Sequence, residues 1–224
     1  MSLNETPQYM IHAYPPRMWY VEEFLIPSMI EQGISRDDIT VWNDTERAGN
    51  LASWMAAAES LPEDGGTWHL QDDVVISADF AEKTKEYDKG VVYGFCSRHF
   101  EDDPDITGEV YAEDMWHSFQ CVRIPNKYAH ECVEWIKGGN ADLWPEPSIL
   151  IKLNKGDDTI FRYFLIERHG REMAVNLKPN IVNHVDYMIG GSAINQWRGF
   201  IAGAELWEDS SILYKLQNKI KERG

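Results

Sequence analysis

Between Gln8 and Ile76 short runs of strand formers alternate with longer runs of helical spacing, and that alternation limits the fold more than any other feature. Gln8–Tyr14 (QYMIHAY) is a short apolar strand that stops at Pro15-Pro16, where fixed φ and a missing N–H end a ladder. From Met18 to Gln32 the residues Trp19, Phe24, Leu25, Met29 and Ile30 recur at roughly helical spacing, with Pro27 placed to kink the helix and Gly33 to cap it. A second strand is expected over Asp38–Trp42 and a second helix over Leu51–Leu61, with Gly49 or Asn50 near its start. After the Gly65-Gly66 turn, Trp68, Leu70, Val74, Val75 and Ile76 predict a central strand. Strand, helix, strand, helix, strand predicts an α/β fold, a three-layer α/β/α sandwich with a mainly parallel central sheet. Right-handed crossovers would bring the loops after Tyr14, Trp42 and Leu70 to one edge of that sheet.

The remainder continues in the same style. Asp79–Tyr87 reads as a short helix and Val91–Phe95 as a fourth strand. Ser97–Asp114, which carries Asp102, Asp103, Asp105, Glu109, Glu113 and Asp114 with Pro104 and Gly108, reads as a long polar insertion, a surface loop or a lid. Met115–Ile124 predicts a strand ended by Pro125, and Asn126 a cap on a helix running through Ile136 to Gly138-Gly139. Thr159–His169 predicts a helix closed by Gly170, Val175–Leu177 a short strand, Pro179–Val185 an extended piece, and Glu208–Glu222 a last helix. A chain of 224 residues is long enough to bury a core as one domain, 1–224.

Charge removes whole classes of function. With 21 Lys and Arg against 37 Asp and Glu the net charge is −16, which lacks the basic footprint that nucleic acid or an anionic membrane requires. Cys96, Cys121 and Cys132 are odd in number and widely spaced, so neither a disulfide framework nor a zinc knuckle is suggested. Buried thiols, no signal peptide and no apolar run of spanning length predict a cytoplasmic protein without membrane insertion.

Acid chemistry enters at one point of the apolar segment, Gln71-Asp72-Asp73. Strand ends in an open α/β sheet form a ligand crevice, and two adjacent carboxylates repel until a cation relieves them. Hard divalent ions such as Mg²⁺ or Mn²⁺ prefer carboxylate and phosphate oxygen, so the pair reads either as a metal-and-phosphate site or as a solvated turn. A second acidic pair, Asp157-Asp158, stands where it would cap the helix that follows.

The element order and these motifs resemble the GT-A class of nucleotide-sugar glycosyltransferases, in a small single-domain form. In that class a strand-end Asp-x-Asp motif holds Mn²⁺ or Mg²⁺ against the diphosphate of a nucleotide sugar, usually UDP-linked, and Gln71-Asp72-Asp73 stands in the equivalent place, with Gln71 replacing the first acid. The resemblance implies a nucleotide-binding half over about 8–95, an acceptor half over about 115–195 and a C-terminal helix over 205–224. It implies a metal site of Asp73 with His184, and a donor site of Ala13, Tyr14, Asn43, Asp44, Arg47, Gly49, Asn50, Gln71 and Asp72. Tyr14 would stack on the base or lie in the core; Arg47 would touch diphosphate or pair with a neighbouring acid. Asp157 or Asp158 would act as general base toward an acceptor hydroxyl. The implied partners are a nucleotide-sugar donor and a glycan, protein or small-molecule acceptor. Two other classes compete. A nucleotidyltransferase needs a Gly-rich, Lys-bearing phosphate loop after the first strand, which Tyr14-Pro15-Pro16-Arg17 is not. A noncatalytic carbohydrate-binding protein would account for the nine Trp residues.

Overall fold

A computed structural model describes residues 7–46, 48–95, 108–111, 119–143, 156–177, 180–189 and 211–223. Strand β1 (Gln8–Ala13) leads through a 3-10 turn at Pro15–Arg17 into α1 (Met18–Tyr20), a π-helical turn (Val21–Leu25) and α2 (Ile26–Glu31). These segments follow one another without a break, with Pro27 in the first turn of α2. Ile26 N–H bonds back to Val21, five residues earlier, and this wider turn takes in the Pro27 ring. Then follow β2 (Ile39–Asn43), α3 (Asn50–Glu59), β3 (Gly66–Gln71), β4 (Val74–Ile76), α4 (Phe80–Glu86), β5 (Val91–Tyr93) and β6 (Gly108–Tyr111). The chain continues with β7 (Cys121–Pro125), α5 (Asn126–Lys137), α6 (Asp157–His169), β8 (Met173–Asn176), β9 (Val182–His184) and α7 (Ser211–Arg223).

Among the described residues, seven strands form one sheet in the order β2-β1-β3-β7-β5-β8-β6. β1 lies parallel to β2 and β3, and β5 to β8, while β7 and β6 are antiparallel to their neighbours. Thus β2, β1, β3, β5 and β8 point one way, but only half of the adjacent pairs are parallel, and the sheet is mixed. One face carries α1, α2, α4 and α7, with Ile11, Tyr20, Leu25, Trp68, Leu70, Phe80 and Leu216 in its core; the other carries α3, α5 and α6 around Trp54, Trp135, Phe161 and Phe164. This is the α/β layering that the alternating sequence predicted.

Three expectations need correction. The strand expected to run from Trp68 through Ile76 is two: the chain turns at Asp72-Asp73, β3 stays in the large sheet, and β4 pairs with β9 in a separate two-stranded sheet. A straight strand would send the two adjacent carboxylates to opposite faces of the sheet, one of them into an apolar layer; the turn brings both to the same cation. Within the polar stretch 97–114, Gly108–Tyr111 forms a strand beside β8, the rest lying outside the described residues. Asn126 is the first residue of α5 rather than its cap, and its amide instead binds the Asp64 carbonyl at 2.9 Å and the Thr67 hydroxyl at 2.8 Å. The segments 115–118, 144–150 and 208–210 lie outside the described residues.

Gly94 brings the two sheets together. Its N–H donates to the Cys121 carbonyl at 3.0 Å and its carbonyl accepts from Ile181 N–H at 2.9 Å. A Cβ there would come within 2.7 Å of the Ile181 side chain and 2.8 Å of Cys121 Sγ, so only glycine lets the run into β9 lie so close.

Candidate active site

Tyr14 leaves β1 extended, and the two prolines fold the next residues into a turn closed by Arg17 N–H to the Tyr14 carbonyl at 2.8 Å. That turn sends Arg17 inward. Its Nη1 donates to Asp72 Oδ1 at 2.9 Å and to Asp73 Oδ2 at 2.6 Å, while Tyr14 N–H donates to Asp72 Oδ2 at 2.5 Å. The Tyr20 hydroxyl, one helical turn on, donates to the Val74 carbonyl at 2.6 Å and fixes α1 against the carboxylate turn. From the opposite side, Val185 N–H donates to the Asp73 carbonyl at 2.7 Å, which places His184 Nε2 3.1 Å from Asp73 Oδ2. His184 Nδ1 lies 3.4 Å from Asp186 Oδ1. None of Arg17, Asp72, Asp73, His184 and Asp186 is more than 7% exposed.

Burial raises the pKa of the Asp72 carboxyl to about 6, with Asp73 adding to the shift and Arg17 and the Tyr14 N–H opposing it. Burial acts in the same direction on Asp73, but His184 and Arg17 together outweigh it and hold this carboxyl below its usual range. Burial works against the charge on Arg17, and the two carboxylates more than restore it. The centre therefore divides into one carboxylate held firmly ionised and one that titrates close to neutrality.

The donors fit a divalent cation in kind. Among the described residues, Asp73 Oδ1 is buried and has no hydrogen-bond partner. A neutral imidazole carries a single N–H; if that proton is on Nδ1, facing Asp186, the Nε2 lone pair confronts the Asp73 carboxylate. Either a second proton or a shared cation removes that repulsion, and a carboxylate behind the far ring nitrogen is the usual support of a metal-bound histidine. Among the described residues no three His, Cys, Asp or Glu side chains form a ready cage. An ion here would take Asp73 and His184 and complete its shell with phosphate oxygen and water, as Mg²⁺ commonly does.

The other predicted donor residues lie along the C-terminal edge of β2, β1 and β3. The Ala13 carbonyl accepts from Asp44 N–H at 3.0 Å, and Asp44 Oδ1 accepts from Ala48 N–H at 3.0 Å. Asn43 and Asn50 are exposed, Tyr14 and Gln71 half-buried, and Gly49, at φ +90°, forms the turn into α3. Arg47 lies outside the described residues. Asp157 and Asp158 occupy the first turn of α6, where Asp158 Oδ1 accepts from Thr159 N–H at 2.6 Å. Burial raises the pKa of the Tyr93 hydroxyl, and Asp158 adds to that shift, which places the start of α6 by the end of β5. Since β5 points the same way as β3, both acidic pairs border one edge of the sheet, with β7 between them and about 10 Å of sheet separating β3 from β5.

Sequence reasoning missed three participants. Arg17 had only been used to exclude a phosphate loop. Asp186 follows His184 at a spacing of two, a signal that was available. Gln120 is buried in the turn that opens β7, its carbonyl accepting from Gln71 N–H at 3.1 Å and its side-chain Oε1 unpartnered; nothing in its local sequence marked it.

The fold and centre define an α/β protein with a buried ionic cluster at its strand ends. No family model and no curated protein matches the chain. Among solved structures it is similar to the crystal structure of the glycosyltransferase GlyE from Streptococcus pneumoniae TIGR4, at 12% sequence identity and a TM-score of 0.45. That likeness covers 98% of this chain, which spans 64% of the other. Among the described residues, no helix is long and apolar enough to cross a membrane.

Proposed function

We propose that this protein is a glycosyltransferase of the GT-A type that moves a sugar from a nucleotide-diphosphate donor, UDP-linked in the first instance, to an acceptor hydroxyl with the help of Mn²⁺ or Mg²⁺. The observation that carries the reading is Asp73: a buried carboxylate at the end of a central strand, held ionised, facing His184 and keeping one oxygen unpartnered. Asp73 and His184 would hold the ion, which supplies positive charge to a departing diphosphate. Asp186 orients His184 through its far nitrogen. The nucleotide would lie along Ala13, Tyr14, Asn43 and Asp44, where the parallel strands end, with Gly49 and Asn50 presenting the N-terminus of α3 to an anion. Asp157 or Asp158, across β7 from the carboxylate turn, would accept the proton of the acceptor hydroxyl as it attacks the sugar.

The deciding experiment is a thermal-unfolding screen of UDP, GDP and CDP, each with and without Mn²⁺, on wild type and Asp73→Asn. A nucleotide at about one hundred times its Kd stabilises the native state by about 2.7 kcal/mol. The reading expects such a shift for at least one diphosphate, dependent on both Mn²⁺ and Asp73, together with release of that diphosphate from its sugar conjugate. Stabilisation by no nucleotide, with an intact fold, would overturn it in favour of a noncatalytic protein.

A further inference from the structure

The carboxylate turn already has a cation, and that cation belongs to the chain. Arg17 Nη1 lies within 2.9 Å of oxygens from both Asp72 and Asp73, in the place where a metal ion serving both carboxylates would sit. One guanidinium serves two buried carboxylates, and His184 approaches the second of them at 3.1 Å. Asp73 is the member with spare capacity, because its Oδ1 has no partner. Arg17 itself is the last residue of the three-residue turn Pro15–Arg17, which leaves the end of β1 beside the end of β3.

We propose that Arg17 is a resident counter-ion that latches the carboxylate turn: a divalent cation entering on Asp73 displaces the guanidinium, which is then presented to the anionic part of the ligand at the same strand ends. The inference rests on the reading that Asp73 and His184 bind a cation, and it adds a regulated order to that reading, cation first and anion second. An arginine freed in this way suits diphosphate, since its planar fork matches paired phosphate oxygens. Resting closure also gives the buried carboxylates a partner while no ligand is bound, which an isolated buried pair requires.

The test uses Mn²⁺ alone, with no nucleotide, reading free Mn²⁺ by electron paramagnetic resonance on the full chain. The variants are Arg17→Met/Asp72→Asn and Asp73→Asn, each checked for native circular dichroism. The double variant removes one positive and one negative charge together, so the local charge is unchanged and only the guanidinium is cleared away. The latch expects this variant to bind Mn²⁺ at least tenfold more tightly than wild type, and Asp73→Asn to bind none. In wild type, Mg²⁺ should shift the Arg17 Nε–H signal in a ¹⁵N spectrum as the pair opens, which keeps the idea testable if the double variant does not fold. Equal, Asp73-dependent affinity in wild type and the double variant, or an unmoved Arg17 signal at saturating Mg²⁺, overturns the latch and leaves the cation site standing. Absence of Mn²⁺ binding in both overturns the cation site and the latch with it.

Discussion

Replacing Asp72 by asparagine should stabilise this protein at neutral pH, although it removes one half of a buried ion pair. The Asp72 carboxyl is raised from 3.8 to about 6 in the folded chain, with burial the largest cause and Asp73 the next. In the unfolded chain it returns to about 3.9. The sign follows from which state holds the proton. Between about pH 4 and pH 6 the folded state retains a proton that the unfolded state has lost, so this group's stabilising contribution is complete below pH 4 and is lost as pH rises through 6. A difference of about two units is worth about 3 kcal/mol at 1.36 kcal/mol per unit. Asparagine has the shape of the protonated acid and its amide oxygen can still accept from Tyr14 N–H; its NH2 replaces the oxygen that accepts from Arg17, which turns wholly to Asp73. Urea unfolding in the presence of a chelator, at steps from pH 4.5 to 8, should find Asp72→Asn close to wild type at the acid end and up to about 3 kcal/mol more stable at pH 7.5. Parallel profiles, or a deficit in the variant that grows with pH, would refute the reasoning.

Two further outcomes concern the support around the centre. His12 of β1 and His69 of β3 stack at 5.2 Å between centroids and share one hydrogen bond of 2.9 Å. Burial lowers the pKa of His12 to about 4 and of His69 well below the ordinary value, with His12 adding to the second shift. Their contribution is therefore complete above the unfolded pKa of about 6.5 and lost as pH falls toward 4, opposite in sign to Asp72. His69→Gln should flatten the acid limb of the unfolding profile over that interval, and an unchanged limb would remove the pair as its cause. Gly94→Ala forces a methyl against Ile181 and Cys121 and should cost about 1–3 kcal/mol in urea unfolding. Because Ile181 leads into β9, the same variant should weaken the Mn²⁺ binding proposed for Asp73 and His184 while leaving the helical circular dichroism in place; Mn²⁺ affinity equal to that of wild type would separate Gly94 from the centre.

The sequence exposed what repeats along the chain and hid what depends on distant partners. Alternating strand and helix patterns from Gln8 to Ile76 were enough to foresee β1, β2 and β3 parallel and their ends on one edge, because each crossover is local and its hand is fixed. The mixed character of the sheet was not visible. β7 enters between β3 and β5 from some fifty residues after β3, and no periodicity reports which strand a later strand will join. The same contrast divides the candidate site. Asp72-Asp73 stood out as paired charge in an apolar run, and His184 through the family likeness, yet Val74, Val75 and Ile76 hid the turn between them, since strand formers read alike whether they continue one sheet or begin another. Arg17 was hidden by its chemistry. An arginine beside Pro-Pro reads as a solvated loop residue until the fold returns the chain across 55 positions to a pair of carboxylates, and only then does its burial become favourable. Local pattern thus marked where charge would collect, whereas the neutralisation of that charge is a tertiary property: Arg17 meets Asp72 and Asp73 only because the chain turns between β3 and β4 and brings both carboxylates to one guanidinium.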